Sequence, residues 1–599
     1  MGILVGYKDE ISENIQENFK ESNISHILAV SGLHVSYIVL AITKSLEKIQ
    51  GKRNSKFVTI FFIIIYMFLT NFSPSVVRAC VMGIIAIASK LTYNKNDIYT
   101  NIAISLLCIL IYNPYLITSV GVLLSYGGTI GIILFQKSIS LVLGRIKSQS
   151  EIYKYNSKIR KVIDYIQDTL VVSFSAQIVI EPIIAKMYNT LSFSFFITNF
   201  LVSPIIGPII ILGFLFIISN YLCPKFISII IKFIIENLLR VLIEISKIGK
   251  ILPFNKIYVA TPDVWQIFTY YIVIYIINII YKVSIKRSTT AFQKRLINWK
   301  NLIKHLIKKH FRKVLEIILC IVILVITIKI IPNSLKIYFI DVGQGDSTLI
   351  VTPHGKTILI DGGGSENYDV GKNILLPYLL DRKITKIDYV IISHFDTDHV
   401  GGILTVLEEL RVEKVIIGKQ CETSENYQRF LEIINKRQIF VKRVEKGDKI
   451  NIEKNVQISV LFPDTNLISE NSLNNNSLVF KFVHKDFSVL FTGDIEQIAE
   501  ERLVKIYSKS DLLRATILKI AHHGSKTSSI QEFLELVQPK IALIGVGENN
   551  LYGHPNEEII ERLKDIGAKI YRTDEDGEII INIRKRIKIN KRLKSISYR

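Results

Sequence analysis

The segment Ile391–Gly402 reads IISHFDTDHVGG and places His394, Asp396, Asp398 and His399 within six residues. Neutral imidazole and carboxylate are the donors that zinc and manganese take. Seven of the eleven histidines follow residue 332, and five of those seven form three groups: His394/His399, His522/His523 and His554. Asp494, in FTGD, ends another apolar run. A carboxylate so placed can bridge two cations about 3.5–4 Å apart that activate a water between them. One such group alone would read as a helix cap or a core histidine; four at the ends of apolar runs point to a metal-dependent hydrolytic centre. The expected metal ligands are His394, Asp396, Asp398, His399, Asp494, His523 and His554. Asp398 and His399 are also expected to be catalytic. Whether His522 or His523 is the inward ligand stays open. His354 and His484 lack such company and read as structural.

These residues must be positioned by a scaffold. LKIYFIDVGQGDSTLIV, KTILIDGGG, KIDYVIISH, FSVLFTGD, ILKIAHHG, KIALIGVG and EIIINIR are short β-branched runs ending in Gly, Asp or His. Helical patterns lie between several of them, at 400–410 and 496–507 for example. Strands alternating with helices predict an α/β domain whose functional residues sit at strand ends. Asp361 is expected to support the metal loop, and Asp341 and Asp346 to shape the first loop. In HHGSKTSS, Ser525, Lys526 and Ser528 could bind phosphate oxygens through charge and donors, or the loop could cap a following helix.

The first half differs. The chain is 49% hydrophobic and 21% charged, with net charge +22, and its mean hydropathy is +0.34. That average combines a membrane half with a soluble half. The positive charge favours nucleic acid or lipid headgroups as partners. About ten apolar runs recur, near 27–46, 57–71, 76–92, 98–112, 115–136, 170–187, 191–218, 226–247, 264–281 and 314–331. Lys and Arg gather after the first and fifth runs, and from Lys282 to Lys313 there are eleven of them and no Asp or Glu. Placing those loops in the cytoplasm puts everything after Pro332 outside. His34, Arg78, Ser125, Gln177 and Glu181 are polar at bilayer depth and are candidates to line a wet path. NFLVSPIIGPII, 199–210, has the prolines of a broken helix. The five cysteines include no CxxC, so they suggest neither a metal site nor a redox compartment. Residues 1–25 are polar and show no signal peptide.

DVGQGDS, IDGGG, SHFDTDHVGG, FTGD and HHGSKTSS resemble the metallo-β-lactamase fold, an αββα sandwich. With ISHILAVSGLHVSYI, SPSVVRACVMG, GVLLSYGGTIG and SFSAQIVIEPII ahead of them, the chain resembles the ComEC-type DNA-internalisation (competence) family over about 6–285 and 335–583. The resemblance implies a polytopic α-helical membrane domain plus the αββα sandwich. The units would be a polar segment 1–25, a channel domain 26–285, a basic loop and last span 286–332, the metal domain 333–585 and a basic tail 586–599. It implies single-stranded DNA transport across the cytoplasmic membrane and a nuclease that degrades the other strand. Partners would include a DNA receptor and, since no Walker-type loop is present, a cytoplasmic ATPase. There are departures. Asp396 stands where the fold's second histidine is usual, and NNNSLVF stands where a later histidine is usual. Both make the site richer in oxygen, so manganese joins zinc as the expected metal, with two ions. The chain also begins where the competence region begins, so it reads as a short member, a truncated gene model or one missing its DNA-receiving part.

Overall fold

The computed structural model describes residues 2–7, 9–148, 157–222, 224–252, 254–285, 334–419, 424–548, 550–584 and 586–592. Contacts divide the chain into a unit ending at Trp299 and another beginning at Lys300.

The first unit is helical: α1 Gly32–Leu69, α2 Pro74–Leu91, α3 Ile98–Tyr112, α4 Val120–Ser148, α5 Ser157–Tyr188, α6 Phe195–Leu222, α7 Lys225–Ile251 and α8 Val264–Ile285. Five of the described helices contain stretches long and apolar enough to cross a membrane: Pro74–Leu91, Val120–Val142, Arg160–Tyr188, Phe195–Leu222 and Val264–Tyr281. The ten expected runs thin out for identifiable reasons. Runs 27–46 and 57–71 merge into α1, which bends at Gly51, where φ is 79°. Run 226–247 becomes α7, whose Lys232, Glu236, Arg240 and Glu244 recur every fourth residue along one stripe. That spacing marks an amphipathic helix rather than an apolar span. Run 98–112 becomes α3, apolar but shorter. The last expected span, 314–331, and most of the basic loop before it lie outside the described residues.

α6 does not break. It runs through Pro204 and Pro208. The surroundings account for this: Ile206, Ile209 and Ile210 are buried, and a Cβ on Gly207 would lie 2.8 Å from the Tyr37 ring. Packed neighbours hold a helix that proline would otherwise kink. α4 and α5 approach closely because Gly131 leaves room: a Cβ there would lie 2.3 Å from Ser175 O.

The second unit is two stacked sheets. The first contains β1 Leu335–Phe339, β2 Thr348–Val351, β3 Thr357–Ile360, β4 Lys386–Ile392, β5 Arg411–Gly418 and β6 Phe440–Val444. The second contains β7 Lys449–Glu453, β8 Val456–Phe462, β9 Val479–His484, β10 Phe487–Phe491, β11 Ile517–Lys519, β12 Ile541–Ile544 and β13 Lys569–Arg572. β14 Glu578–Ile583 and β15 Ile587–Arg592 return to the first sheet. The orders are β15-β14-β1-β2-β3-β4-β5-β6 and β13-β12-β11-β10-β9-β8-β7. Pairing is parallel from β3 to β6 and from β10 to β13, and antiparallel elsewhere. Part of the basic tail thus forms an edge strand, with Ile587 and Ile589 alternating with polar residues.

Alternation builds the core. Ile337, Phe339, Ile358, Ile360, Phe480, Phe482, Val489, Phe491, Ile517 and Ile541 share one cluster drawn from both sheets. The neighbours of opposite parity, Leu490, Leu518 and Ala542, join a second cluster. That cluster includes Leu503 of α11 Gln497–Tyr507, Phe533 of α12 Gln531–Val537 and Leu563 of α13 Glu557–Asp565. On the first sheet, α9 Thr397–Glu409 packs on β4 and on α10 Glu425–Arg437. Helix, sheet, sheet, helix is the expected sandwich. Its parallel strands end together, and the site residues follow those ends.

Candidate metal centre

His394 and Asp396 leave β4, and Asp398 and His399 open α9. Phe395 anchors the turn, with its ring 4.9 Å from Tyr427 and 5.2 Å from Phe430. Asp396 is the N-cap residue of α9, but its side chain caps no amide. Gly345 lets the first loop close in. Its φ is +117°, and a Cβ there would lie 2.2 Å from Asp398 O. Asp361 supports the loop from β3: Oδ1 accepts Ser393 N at 2.8 Å and Oδ2 lies 3.0 Å from His399 Nδ1.

Asp494 follows β10, and His523 follows β11 in a turn where both His522 and His523 take left-handed φ, 49° and 53°. Such backbone costs about 1–2 kcal/mol per residue and here aims an imidazole. His399 Nε2 lies 3.1 Å and His523 Nε2 3.3 Å from Asp494 Oδ2. His523 Nε2 lies 3.1 Å from Asp398 Oδ2, and its Nδ1 lies 2.7 Å from Gly545 O. Backbone contact at one ring nitrogen with the other turned inward is the usual support of a metal-binding imidazole. Between the two histidines of HHG, His523 is the one turned into the cluster. His522 is partly exposed, with Nδ1 3.5 Å from Glu496 Oε1.

The expected residues are not all equally close. His394 is fully buried with its ring 4.2 Å from that of His399. Asp396 Oδ2 lies 3.6 Å from His394 Nε2 and its side chain is 39% exposed. His554 sits at the rim, its ring 5.9 Å from those of His522 and Tyr552. Sequence reasoning missed two members. Asp346 belongs to the group: Asp346, His399, Asp494 and His523 each offer a donor atom within 4.8 Å of the others, and all are buried. Lys519 pairs with Asp346 and with Asp494. The overlooked signal was parity, since Lys519 shares the face of Ile517, which turns into the core.

The segment where a later histidine is usual holds up the site instead. Ser477 Oγ accepts Asp494 N at 3.2 Å, Asn475 Oδ1 accepts Glu496 N at 3.0 Å, and Asn476 Nδ2 donates to Ile468 O at 2.8 Å. The Asn475 and Asn476 amides are engaged with backbone, whereas Asn474 Oδ1 is buried with no hydrogen-bond partner.

The cluster fits a divalent cation. His394 Nε2 is buried with no hydrogen-bond partner and His399 Nε2 faces the Asp494 carboxylate, as suits imidazoles that direct a lone pair at a metal. The local field also favours positive charge. Burial opposes ionisation, yet His523 and His399 hold the Asp398 carboxyl well below its usual range. Burial likewise opposes a charged imidazole, yet Asp494, Asp346 and Asp398 raise His523 to about 10. A proton or a metal ion answers that field, and the metal competes with the proton.

In the adjoining loop, Lys526 is exposed. Ser525 Oγ lies 3.0 Å from Thr527 Oγ1. Ser528 Oγ donates within the loop, at 3.0 Å to both Ala521 O and Ser525 O, which leaves it no hydrogen for a phosphate. No side chain of the loop caps α12. Glu500, from α11, accepts Ser529 N and Ile530 N at 2.8 Å each. Burial raises its carboxyl from 4.5 to about 7, against the pull of those amides and Arg562. The folded state therefore favours the protonated form. Its stabilisation is full below about 4.5 and is lost as pH rises to about 7, a contribution of about 3 kcal/mol. Melting of the full chain from pH 5 to 8 should decline more steeply for the wild type than for Glu500→Gln, and parallel curves would refute this role.

The polar residues of the first unit fall in two groups. Arg78 of α2 donates to Thr129 Oγ1 of α4 and lies 5.5 Å over the Tyr126 ring. Thr129 in turn donates to Ser125 O at 3.0 Å. A Cβ on Gly32 of α1 would lie 3.1 Å from Arg78 Nη2, and His34, two residues on, is buried with Nδ1 3.0 Å from Ser31 Oγ. Gln177 and Glu181 of α5 bond to each other.

A helical unit with membrane-length apolar helices, followed by a metallo-β-lactamase sandwich with a buried Asp/His cluster, defines the class. Residues 3–283 match the competence-protein family model and residues 340–548 the metallo-beta-lactamase superfamily model. With both matches, this chain is similar to the ComEC-type competence proteins. It is 25% identical to ComE operon protein 3 of Bacillus subtilis over 98% of this chain and 71% of that one. It is 25% identical to Recombination protein 2 of Haemophilus influenzae over 94% of this chain and 69% of that one. Among solved structures, a putative metal-dependent hydrolase from Parabacteroides distasonis is 19% identical, covering 40% of this chain and 92% of its own, with TM-score 0.26.

Proposed function

We propose that this protein takes up DNA across the cytoplasmic membrane as a single strand, and that its metal domain hydrolyses the strand left outside. The observation that carries the hydrolytic half is the convergence of Asp398, His399, Asp494 and His523 at strand ends. The competence-family match over the helical unit supports the transport half.

A bound divalent cation, manganese or zinc, would neutralise the anionic phosphodiester and activate water. The protein residues do the rest. Asp361 and the Gly545 carbonyl fix the orientation of His399 and His523. Lys526 and Ser525 stand beside the cluster to hold a phosphate oxygen. Asp396, partly exposed beside the buried His394, would meet the incoming strand. Arg78, His34 and Ser125, with Gln177 and Glu181, would line the path of the other strand. The metal domain would lie outside the membrane, by the charge of the loops before it. A DNA receptor would deliver the duplex and a cytoplasmic ATPase would pull the strand.

The test is uptake of duplex labelled on one strand at a time by cells carrying this protein. One strand should enter whole while the other appears outside as small fragments. Entry without fragments would contradict the hydrolytic half, and fragments without entry would contradict transport.

A further inference from the structure

Lys519 stands at the end of β11 with its side chain on the between-sheet face, where the rest of the strand is apolar. It is 3% exposed. An ammonium has three N–H donors, and this one meets three acceptors: Gly493 O at 2.9 Å, Asp494 Oδ1 at 3.2 Å and the Asp346 carboxylate. A buried charge is tolerated when it is paired and hydrogen-bonded, and Lys519 is both.

The pairing divides the oxygens of Asp494. Oδ1 faces the ammonium, while Oδ2 faces His399 and His523. Asp346, close enough to those histidines to serve as a ligand, has its Oδ2 held by Lys519, while its Oδ1 is buried with no hydrogen-bond partner. The donors that meet one another away from the ammonium are Asp398, His399, Asp494 Oδ2 and His523. Beyond that set stand His394 and the partly exposed Asp396; Asn475, Asn476 and Ser477 are engaged as struts, while Asn474 Oδ1 is buried with no hydrogen-bond partner.

We propose that Lys519 is a positioning residue, a resident cation that ties down one oxygen each of Asp346 and Asp494 so that the centre takes one divalent ion tightly instead of two. This rests on the metal-dependent reading above and revises the expected ion count.

The test is a count of ions. Full-length protein in detergent is stripped of metal and titrated with Mn²⁺, and free Mn²⁺ is followed by its paramagnetic resonance signal. The wild type should bind one ion tightly per chain. Lys519→Met should bind two, because Asp346 Oδ2 and Asp494 Oδ1 become free donors. Lys519→Met combined with Asp346→Asn should return to one. Two equally tight ions in the wild type would overturn the proposal, as would an unchanged count in a folded Lys519→Met. If Lys519→Met does not fold, the wild-type count decides alone. No bound ion in the wild type would instead sink the metal-dependent reading itself, and the proposal with it.

Discussion

Asp398→Ala should cut metal-dependent DNA hydrolysis by the full chain at least about 100-fold and weaken Mn²⁺ binding, with little loss of fold. Removal of a residue that only orients a ligand typically costs about 10–100-fold, and Asp398 would touch the metal directly. Its Oδ2 is also the partner of His523 Nε2 at 3.1 Å, so its loss leaves His523 without that carboxylate. The side chain is 33% exposed, so truncation opens no core cavity. That separates it from Asp494 or Lys519, whose removal would strand a buried charge. Hydrolysis rates and Mn²⁺ titration of the variant, beside an unchanged melting temperature, check this. Near wild-type rates would remove Asp398 from the site.

The second large effect belongs to the helical unit. Arg78→Ala should lower DNA entry at least about 100-fold while nuclease activity and membrane abundance stay unchanged. A guanidinium at bilayer depth is costly and is kept where a polar path or partner uses it. Arg78 meets α4 through Thr129 and Tyr126, and the backbone of α1 at Gly32. Lysine lacks the planar fork and stacks less well on an aromatic ring, so Arg78→Lys should recover entry only in part. The measurement is transformation frequency at matched protein level. Normal entry in Arg78→Ala would exclude the residue from the path.

Much of this centre is legible in the sequence because ligand chemistry concentrates at strand ends. HFDTDH, FTGD and HHG announce themselves by residue type, and period-two alternation announces the strands beneath them. Residues that act by support are harder to read. Lys519 looks like one lysine among many until parity is counted from Ile517. Asp346 reads as a loop residue because its partner Lys519 is 173 positions away. Glu500 sits in an ordinary helical pattern, and nothing local shows that the amides of Ser529 and Ile530 converge on it. In the helical half, hydropathy finds apolar runs but cannot tell a span from the amphipathic α7. Nor does it foresee that packing carries α6 straight through Pro204 and Pro208.

The most direct measurement of the central claim follows hydrolysis of labelled duplex DNA by the full-length protein as Mn²⁺ or Zn²⁺ is restored to the metal-stripped form. The rate should rise from background in proportion to the ion bound, and Asp398→Ala should stay near background at the same free metal. Full occupancy with no cleavage under either metal would contradict the account and make the domain a binding or gating module.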